Sequence, residues 1–250
     1  MRAPSPIAFS IMGYDFMWYG LLIGLGVVLA VILSYQRAHR HGIEPERILD
    51  LVIWILPIGV IGARLYYVIF NWDYYSQDFM TILNIRGGGL AIHGGIIAGA
   101  ITGYLLCKHY KINFLEILDL FLPAVSLAQA IGRWGNFFNS EAHGGPTDLP
   151  WAILINGEYV HPTFLYESIW CLGLFFFLVY IDNNRKFRGQ VACLYGILYS
   201  VERFFVEGLR TDSLMIGSFR QAQMISIVIL LVSLAMYIIL KKRSVEEKHI

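Results

Sequence analysis

Seven stretches of this 250-residue chain are apolar over the length that crosses a bilayer. They run over approximately residues 16–34, 48–70, 90–107, 114–131, 163–181, 190–206 and 221–240, each close to the ~20 residues a membrane helix needs. They take up more than half of the chain and leave short polar connections and one long one, residues 132–162. No linker, low-complexity tract or internal repeat divides them. The pattern predicts an all-α, polytopic membrane protein with seven transmembrane helices, a single integral-membrane domain over residues 1–250.

Composition agrees with that solvent. Hydrophobic residues make up 57% of the chain and charged ones 15%, against ~25% charged in soluble proteins, and mean hydropathy is +0.58. A formal net charge of +1 gives no basic footprint for nucleic acid. The positions of the basic residues predict an orientation. One set of connections carries twelve: Arg37, Arg40, Arg47, Lys108, Lys111, Arg185, Lys186, Arg188, Lys241, Lys242, Arg243 and Lys248. The other carries five, Arg2, Arg86, Arg133, Arg210 and Arg220. The N-terminus is therefore expected outside and the C-terminus in the cytoplasm. The segment MRAPSPIAFSIMGYDF lacks the pattern of a removable signal peptide. Cys107, Cys171 and Cys193 sit in apolar runs without metal-ligand spacing, so no disulfide framework and no metal site is expected.

The polar residues that remain cluster toward the outer side. In RGGGLAIHGGIIAGAITGY (residues 86–104), Gly95, Gly99 and Gly103 recur every four residues, which suits close packing of another helix. His93 stands at the outer end of that helix; it is either an ionisable group with a function or a neutral imidazole satisfied by a carbonyl. GRWGNFFNSEAHGG (residues 132–145) opens the long loop. There Gly132 and Gly135 permit left-handed backbone that brings main-chain N–H groups to a ligand. Arg133 offers a planar fork for phosphate oxygens; Asn136 and Asn139 add amide donors, and Glu141 a carboxylate to orient them. A turn-rich loop with a snorkelling arginine is the plainer reading of the same residues.

In HPTFLYES (residues 161–168), Pro162 suits the first turn of a helix, and Thr163 and Glu167 share one face. Glu167 about one turn inside the membrane needs a cation, and Arg64 or Arg203 are the candidates. In ERFFVEGLRTDS (residues 202–213), Arg203, Glu207 and Arg210 form one stripe if the helix continues, whereas an end at Gly208 would let Arg210 turn away. These charges either brace the bundle or hold an arginine toward an anion, and with Arg133 they suggest a two-arginine phosphate clamp. DFMWYG (residues 15–20) places Trp18 and Tyr19 where an interfacial aromatic belt is expected.

Together, HGG at 93–95, the GRWGNFFNSE run, HPTFLYES and ERFFVEGLRTDS closely resemble the bacterial prolipoprotein diacylglyceryl transferases, in order and spacing over essentially the whole chain. The resemblance implies an enzyme of the bacterial inner (plasma) membrane acting at the outer leaflet. It would move the sn-1,2-diacylglyceryl group of phosphatidylglycerol to the lipobox cysteine of a prolipoprotein signal peptide, leaving a thioether and glycerol 1-phosphate, with no metal or organic cofactor. Membrane lipids are the only other partners implied. His93, Arg133 and Arg210 are implied as catalytic. Phosphatidylglycerol contacts would come from Arg133, Asn136, Tyr19, Asn139, Glu141 and Gly144, the last adjacent to a second glycine, Gly145. Glu167, Arg203 and Glu207 would support them. One departure is Phe16–Met17 before Trp18, where the family often carries an arginine.

The chemistry suits these residue types. A free thiol, with pKa ~8.5, must lose its proton to attack, which His93 can accept. Guanidinium groups can stabilise the departing glycerol phosphate. Two other classes compete. A transporter predicts inverted repeats and polar residues at the midplane of broken helices, and a phospholipid-binding scaffold shares the arginines but has no need of His93. An intramembrane serine protease would need a GxSxG-type elbow, which the sequence lacks.

Overall fold

The computed structural model describes residues 5–85 and 88–246; Arg2, Arg86, Gly87 and Lys248 lie outside the described residues. Helices form at all seven apolar stretches: α1 (Trp18–Arg37), α2 (Pro45–Phe70), then a single turn α3 (Trp72–Tyr75), α4 (Ile92–Tyr110), α5 (Phe114–Phe138), α6 (Thr163–Asn183), α7 (Gln190–Leu209) and α8 (Gln221–Glu246). Five stretches are long and apolar enough to cross a membrane: Trp18–His41, Pro45–Phe70, Phe114–Phe138, Thr163–Asn183 and Gln221–Glu246. The connections contain three antiparallel hairpins: β1 (Ile7–Ile11) with β2 (Tyr14–Met17), β3 (Ile153–Ile155) with β4 (Glu158–Val160), and β5 (Met215–Ile216) with β6 (Phe219–Arg220).

The chain forms two compact units, residues 1–34 with 118–250, and residues 35–117. The second unit is organised by α2 against α4, and the contact is glycine on glycine. A Cβ on Gly62 would lie 2.2 Å from the Ala98 Cβ, and one on Gly94 would lie 2.4 Å from the Gly62 carbonyl oxygen. Gly95 follows at 3.3 Å from the Gly59 carbonyl, while Gly99 and Gly103 merely touch Ile55 at 3.5 and 3.3 Å. The four-residue glycine stripe read from the sequence is thus a packing face, but the tightest approach is at Gly94 and Gly62. Backbones come together there because lipid tails offer apolar helices no hydrophobic drive, leaving close van der Waals contact to hold them.

In the first unit, α8 buries only Ser226 and presents its apolar residues outward, as a helix solvated by hydrocarbon does. It packs beside α7, where Gly196 leaves room for Ser233, whose Oγ would lie 2.2 Å from an added Cβ. The start of α7 is fixed by a side chain from α5. Fully buried Asp119 accepts hydrogen bonds from the Gly189 and Ala192 amides at 2.7 and 2.9 Å and pairs with Arg185 at 3.3 Å. An anion at a helix N-terminus meets unpaired N–H groups and the positive end of the dipole.

Two boundaries differ from the sequence expectation. Helix α5 runs to Phe138 rather than ending near residue 131, so Gly132 and Gly135 are helical instead of left-handed. Their smallness serves packing: a Cβ on Gly135 would lie 2.5 Å from Tyr19 Cδ2, and one on Gly132 would lie 3.2 Å from Ile23 Cδ1. The positive φ values occur later, at Ser140 and Ala142. Pro162 is the residue before α6 rather than in its first turn.

The packing contrast between two glycines of this face is testable. Gly62→Leu inserts atoms where none fit and is expected to destabilise by about 1–3 kcal/mol or more, lowering the unfolding midpoint of the purified protein in detergent. Gly99→Ala meets only ordinary contact and should hold or raise the midpoint; equal losses for both would contradict the tight approach.

Candidate active site

Two arginines of the first unit converge on one buried carboxylate. Glu167, on the first turns of α6 and 2% exposed, accepts a hydrogen bond at Oε1 from Arg203 Nη1 at 2.7 Å and pairs through Oε2 with Arg133 Nε. The cation anticipated for Glu167 is therefore double, and it comes from α5 and α7. Arg203 bridges onward, its Nη2 lying 2.7 Å from Glu207 Oε2 one turn along α7. Arg133 also donates from Nη2 to the Tyr199 hydroxyl at 3.4 Å. Tyr199 stacks on Tyr195 at 5.5 Å, and the Tyr195 hydroxyl donates to Gln129 at 2.8 Å. Among the described residues Nη1 of Arg133 has no hydrogen-bond partner, so the guanidinium keeps donors for an external oxygen. Glu202, buried on α7, has no hydrogen bond to either carboxylate oxygen among the described residues.

Of the two courses the sequence leaves open to Arg210, the stripe and the turn, the structure takes the turn. Helix α7 passes Gly208 and ends at Leu209, and Arg210 adopts extended backbone with φ −71° and ψ 147°. It thereby forms a bridge with Gly144. The Gly145 amide donates to the Leu209 carbonyl at 3.1 Å, and the Gly144 amide to the His161 carbonyl at 2.9 Å. Three chain segments thus cross at Gly144, where a Cβ would lie 2.6 Å from the His161 Cβ and 3.1 Å from the Leu209 carbonyl oxygen. Gly145 has nothing nearer than 4.0 Å, so Gly144 is the glycine that the packing requires. The Arg210 side chain turns to Asp212 and donates Nε and Nη2 to its two oxygens, each at 2.9 Å, while Glu207 lies 4.0 Å away. Those hydrogen bonds hold the Asp212 carboxyl below the usual carboxylate range.

The neighbouring loop is also cross-braced. Glu141 Oε1 accepts from Asn136 Nδ2 at 2.9 Å and from Asn139 Nδ2 at 3.3 Å, bringing together the three residues the sequence grouped. Thr163 Oγ1 donates to the Ala142 carbonyl, tying this loop to the start of α6. Trp134 Nε1 donates to Ser168 Oγ at 3.1 Å, and Ser168 Oγ donates to the Ala130 carbonyl at 2.8 Å; both bonds hold α5 to α6 beside Arg133. Tyr19 lies against Gly135, and Trp18 stacks on Phe138 at 4.9 Å.

In the second unit, His93 is the second residue of α4 and half-buried, its ring 6.3 Å from that of Tyr66. Among the described residues its ring has no hydrogen-bond partner, and no carbonyl of theirs satisfies the imidazole. Arg64 does not serve a carboxylate: it donates to main-chain carbonyls of the segment before α4. Sequence reasoning missed that role and the Tyr199 contact. Tyr199 stands one turn before Arg203 on α7, at the i, i+4 spacing that could have flagged it.

Two outcomes follow from the geometry. Glu167→Gln leaves the half-buried Arg133 guanidinium without its anion and Arg203 with Glu207 alone, which costs about 3–5 kcal/mol; an unchanged unfolding midpoint in detergent would contradict the shared pairing. For Asp212 the ionised form is favoured by Arg210, so the pair is present above the ordinary aspartate value of ~3.9. It is lost only as pH falls through the lower folded value. A pH–activity profile between 5 and 8 should therefore carry no inflection from Asp212. A limb in that range that vanishes in Asp212→Asn would contradict it.

The model of the prolipoprotein diacylglyceryl transferase family matches residues 6–239. A phosphatidylglycerol--prolipoprotein diacylglyceryl transferase of Finegoldia magna is 54% identical over 241 residues, covering 96% of this chain and 97% of that protein. Proteins of the same name from Clostridioides difficile and a Synechocystis species are 50% and 43% identical, covering 95% and 94% of this chain and 96% and 88% of theirs. With the family model matching residues 6–239 and relatives about half identical over nearly the full chain, the chain belongs to the prolipoprotein diacylglyceryl transferase family.

Proposed function

We propose that the chain transfers the sn-1,2-diacylglyceryl group of phosphatidylglycerol to the cysteine thiol of a prolipoprotein lipobox. The bacterial relatives that carry this activity in their names support the reading over nearly the full chain. The observation that carries it in the structure is the sharing of Glu167 by Arg133 and Arg203. Two guanidinium groups in an apolar bundle are costly unless they are used, and a planar fork matches phosphate oxygens.

In the reaction the cysteine sulfur forms a bond to the glycerol C3 carbon of the diacylglyceryl group. The C3–O bond breaks with its electron pair going to the phosphate oxygen, and the thiol proton passes to His93. The products are the thioether and glycerol 1-phosphate. The phosphate starts as a diester with one negative charge and leaves as a monoester carrying a second, so cations at that oxygen stabilise the transition state more than the ground state. Arg133 holds the headgroup, with Glu167 fixing the plane of its guanidinium. Arg203, on the other oxygen of the same carboxylate, is the second cation that the geometry supports for the clamp. Arg210 joins it by exchanging Asp212 for phosphate. Asn136, Asn139 and Glu141 form the braced edge against which the headgroup rests, with Gly144 and Tyr19 shaping the backbone and aromatic sides.

The arrangement in the cell is a single membrane domain of seven spans, with α4 and α7 added to the five most apolar helices. The basic bias sets the N-terminus outside and the C-terminus in the cytoplasm. The active site then faces the outer leaflet of the bacterial plasma membrane, where phosphatidylglycerol and the signal peptide meet.

The test is transfer to a lipobox peptide by the purified protein in phosphatidylglycerol-containing micelles, read by mass spectrometry. Arg133→Ala should lose about 100-fold or more while the protein remains folded, and Arg133→Lys, which keeps the charge but not the fork, should recover little. Full transfer by Arg133→Ala would overturn the assignment. His93→Asn should lose about 100- to 10,000-fold; normal turnover across neutral pH would remove His93 from the proton transfer.

A further inference from the structure

Arg64 is a buried cation, 6% exposed, with an unusual set of partners. Its Nε donates to the Ile82 carbonyl at 2.8 Å, Nη1 to those of Gly88 and Gly89 at 3.0 and 2.9 Å, and Nη2 to those of Thr81 and Asn84 at 2.7 and 2.9 Å. All five guanidinium N–H groups are thereby used, and none on a carboxylate. The Tyr75 ring lies under the guanidinium, 5.0 Å from Cζ. The fit is close: Gly89, at φ +75°, could not carry a Cβ, which would lie 2.3 Å from Arg64 Nη1.

The carbonyls gathered in this way belong to Thr81, Ile82 and Asn84 and to Gly88 and Gly89, just before α4. Beside it the Ala91 amide donates to the Ala63 carbonyl at 3.0 Å, one residue from Arg64, and the Gly95 amide closes the first turn on the Ala91 carbonyl at 3.3 Å. His93 is in that turn. Gly94 is wedged against Tyr66 and Gly62, so the helix start is seated by α2 on both sides of the imidazole. His93 has no hydrogen bond of its own to orient it among the described residues. Its placement therefore depends on the backbone that carries it.

We propose that Arg64 is a positioning residue for His93: by collecting five carbonyls it fixes the segment that begins α4 and so the point from which the imidazole meets the thiol proton. The proposal rests on the reading of His93 as proton acceptor. Arginine suits the task and lysine does not, because five donors in a rigid plane can serve five carbonyls at once, while an ammonium has three around a point. A displacement of about 1 Å at a reacting group costs ~100-fold in rate, so a loss in turnover rather than in lipid affinity is the signature.

The experiment is a double-mutant cycle on the full-length protein in phosphatidylglycerol micelles, with Arg64→Lys, His93→Asn and the pair. Arg64→Lys is expected to lower kcat about 10- to 100-fold with KM for phosphatidylglycerol unchanged, and the double variant should be no slower than His93→Asn alone. Losses that multiply in the double variant, or a change confined to KM, would overturn the proposal. Full turnover by His93→Asn would instead remove the reading it rests on, and the proposal with it. If Arg64→Lys does not fold, Gly89→Ala disturbs the same contact from the loop side and carries the same expectations through the same cycle.

Discussion

A carboxylate taken out of water into an apolar helix bundle must find cations, and Glu167 is where this protein meets that constraint. Its two oxygens face guanidinium groups from two different helices, so three elements of the first unit, α5, α6 and α7, are referred to one side chain. The attraction between such groups does not make the bundle more stable than hydrocarbon packing would. What it provides is placement. Arg133 and Arg203 are held with defined planes in a medium of low dielectric, where, in the proposed reaction, cations act on a leaving phosphate far more strongly than in water.

The rest of the first unit elaborates this placement. Tyr199 accepts from Arg133 on its other side, Trp134 and Ser168 bind α5 to α6, and Gly135 lets α1 approach the same turn. Beyond Glu207 the chain leaves helical geometry at Arg210, pairs with Gly144 and ties the outer connection to the end of α7. Charged and polar residues thus lie on a continuous path from the helix ends into the surrounding connections. The second unit solves a separate problem with different means, glycine contacts between α2 and α4 and one arginine spent wholly on main-chain carbonyls.

Much of this was legible in the sequence, for identifiable reasons. Apolar runs of bilayer length force helices, because no other backbone satisfies its own hydrogen bonds in lipid, and a helix stands at each of the seven runs. Glu167 and the arginines stand out since ionised groups inside such runs are rare. Helix ends were less legible: Gly132 and Gly135 look like turn residues until α1 is seen packed on them. Which arginines share a carboxylate depends on how α5, α6 and α7 are brought together, and no spacing along the chain states it. The sequence offers Arg64 and Arg203 alike as partners for Glu167, and it cannot separate them because the acceptors of Arg64 are carbonyls, which every residue carries and no sequence pattern marks.

In the proposed reaction the phosphate leaves with the glycerol headgroup from a lipid held by the half-buried arginines at Glu167. The most direct measurement follows the phosphorus. The wild-type protein is incubated with phosphatidylglycerol labelled at phosphate and a lipobox peptide. The label should appear in water-soluble glycerol 1-phosphate as the peptide gains one diacylglyceryl group on its cysteine. Label that stays on the lipid, or a peptide that gains no such mass, would contradict the account.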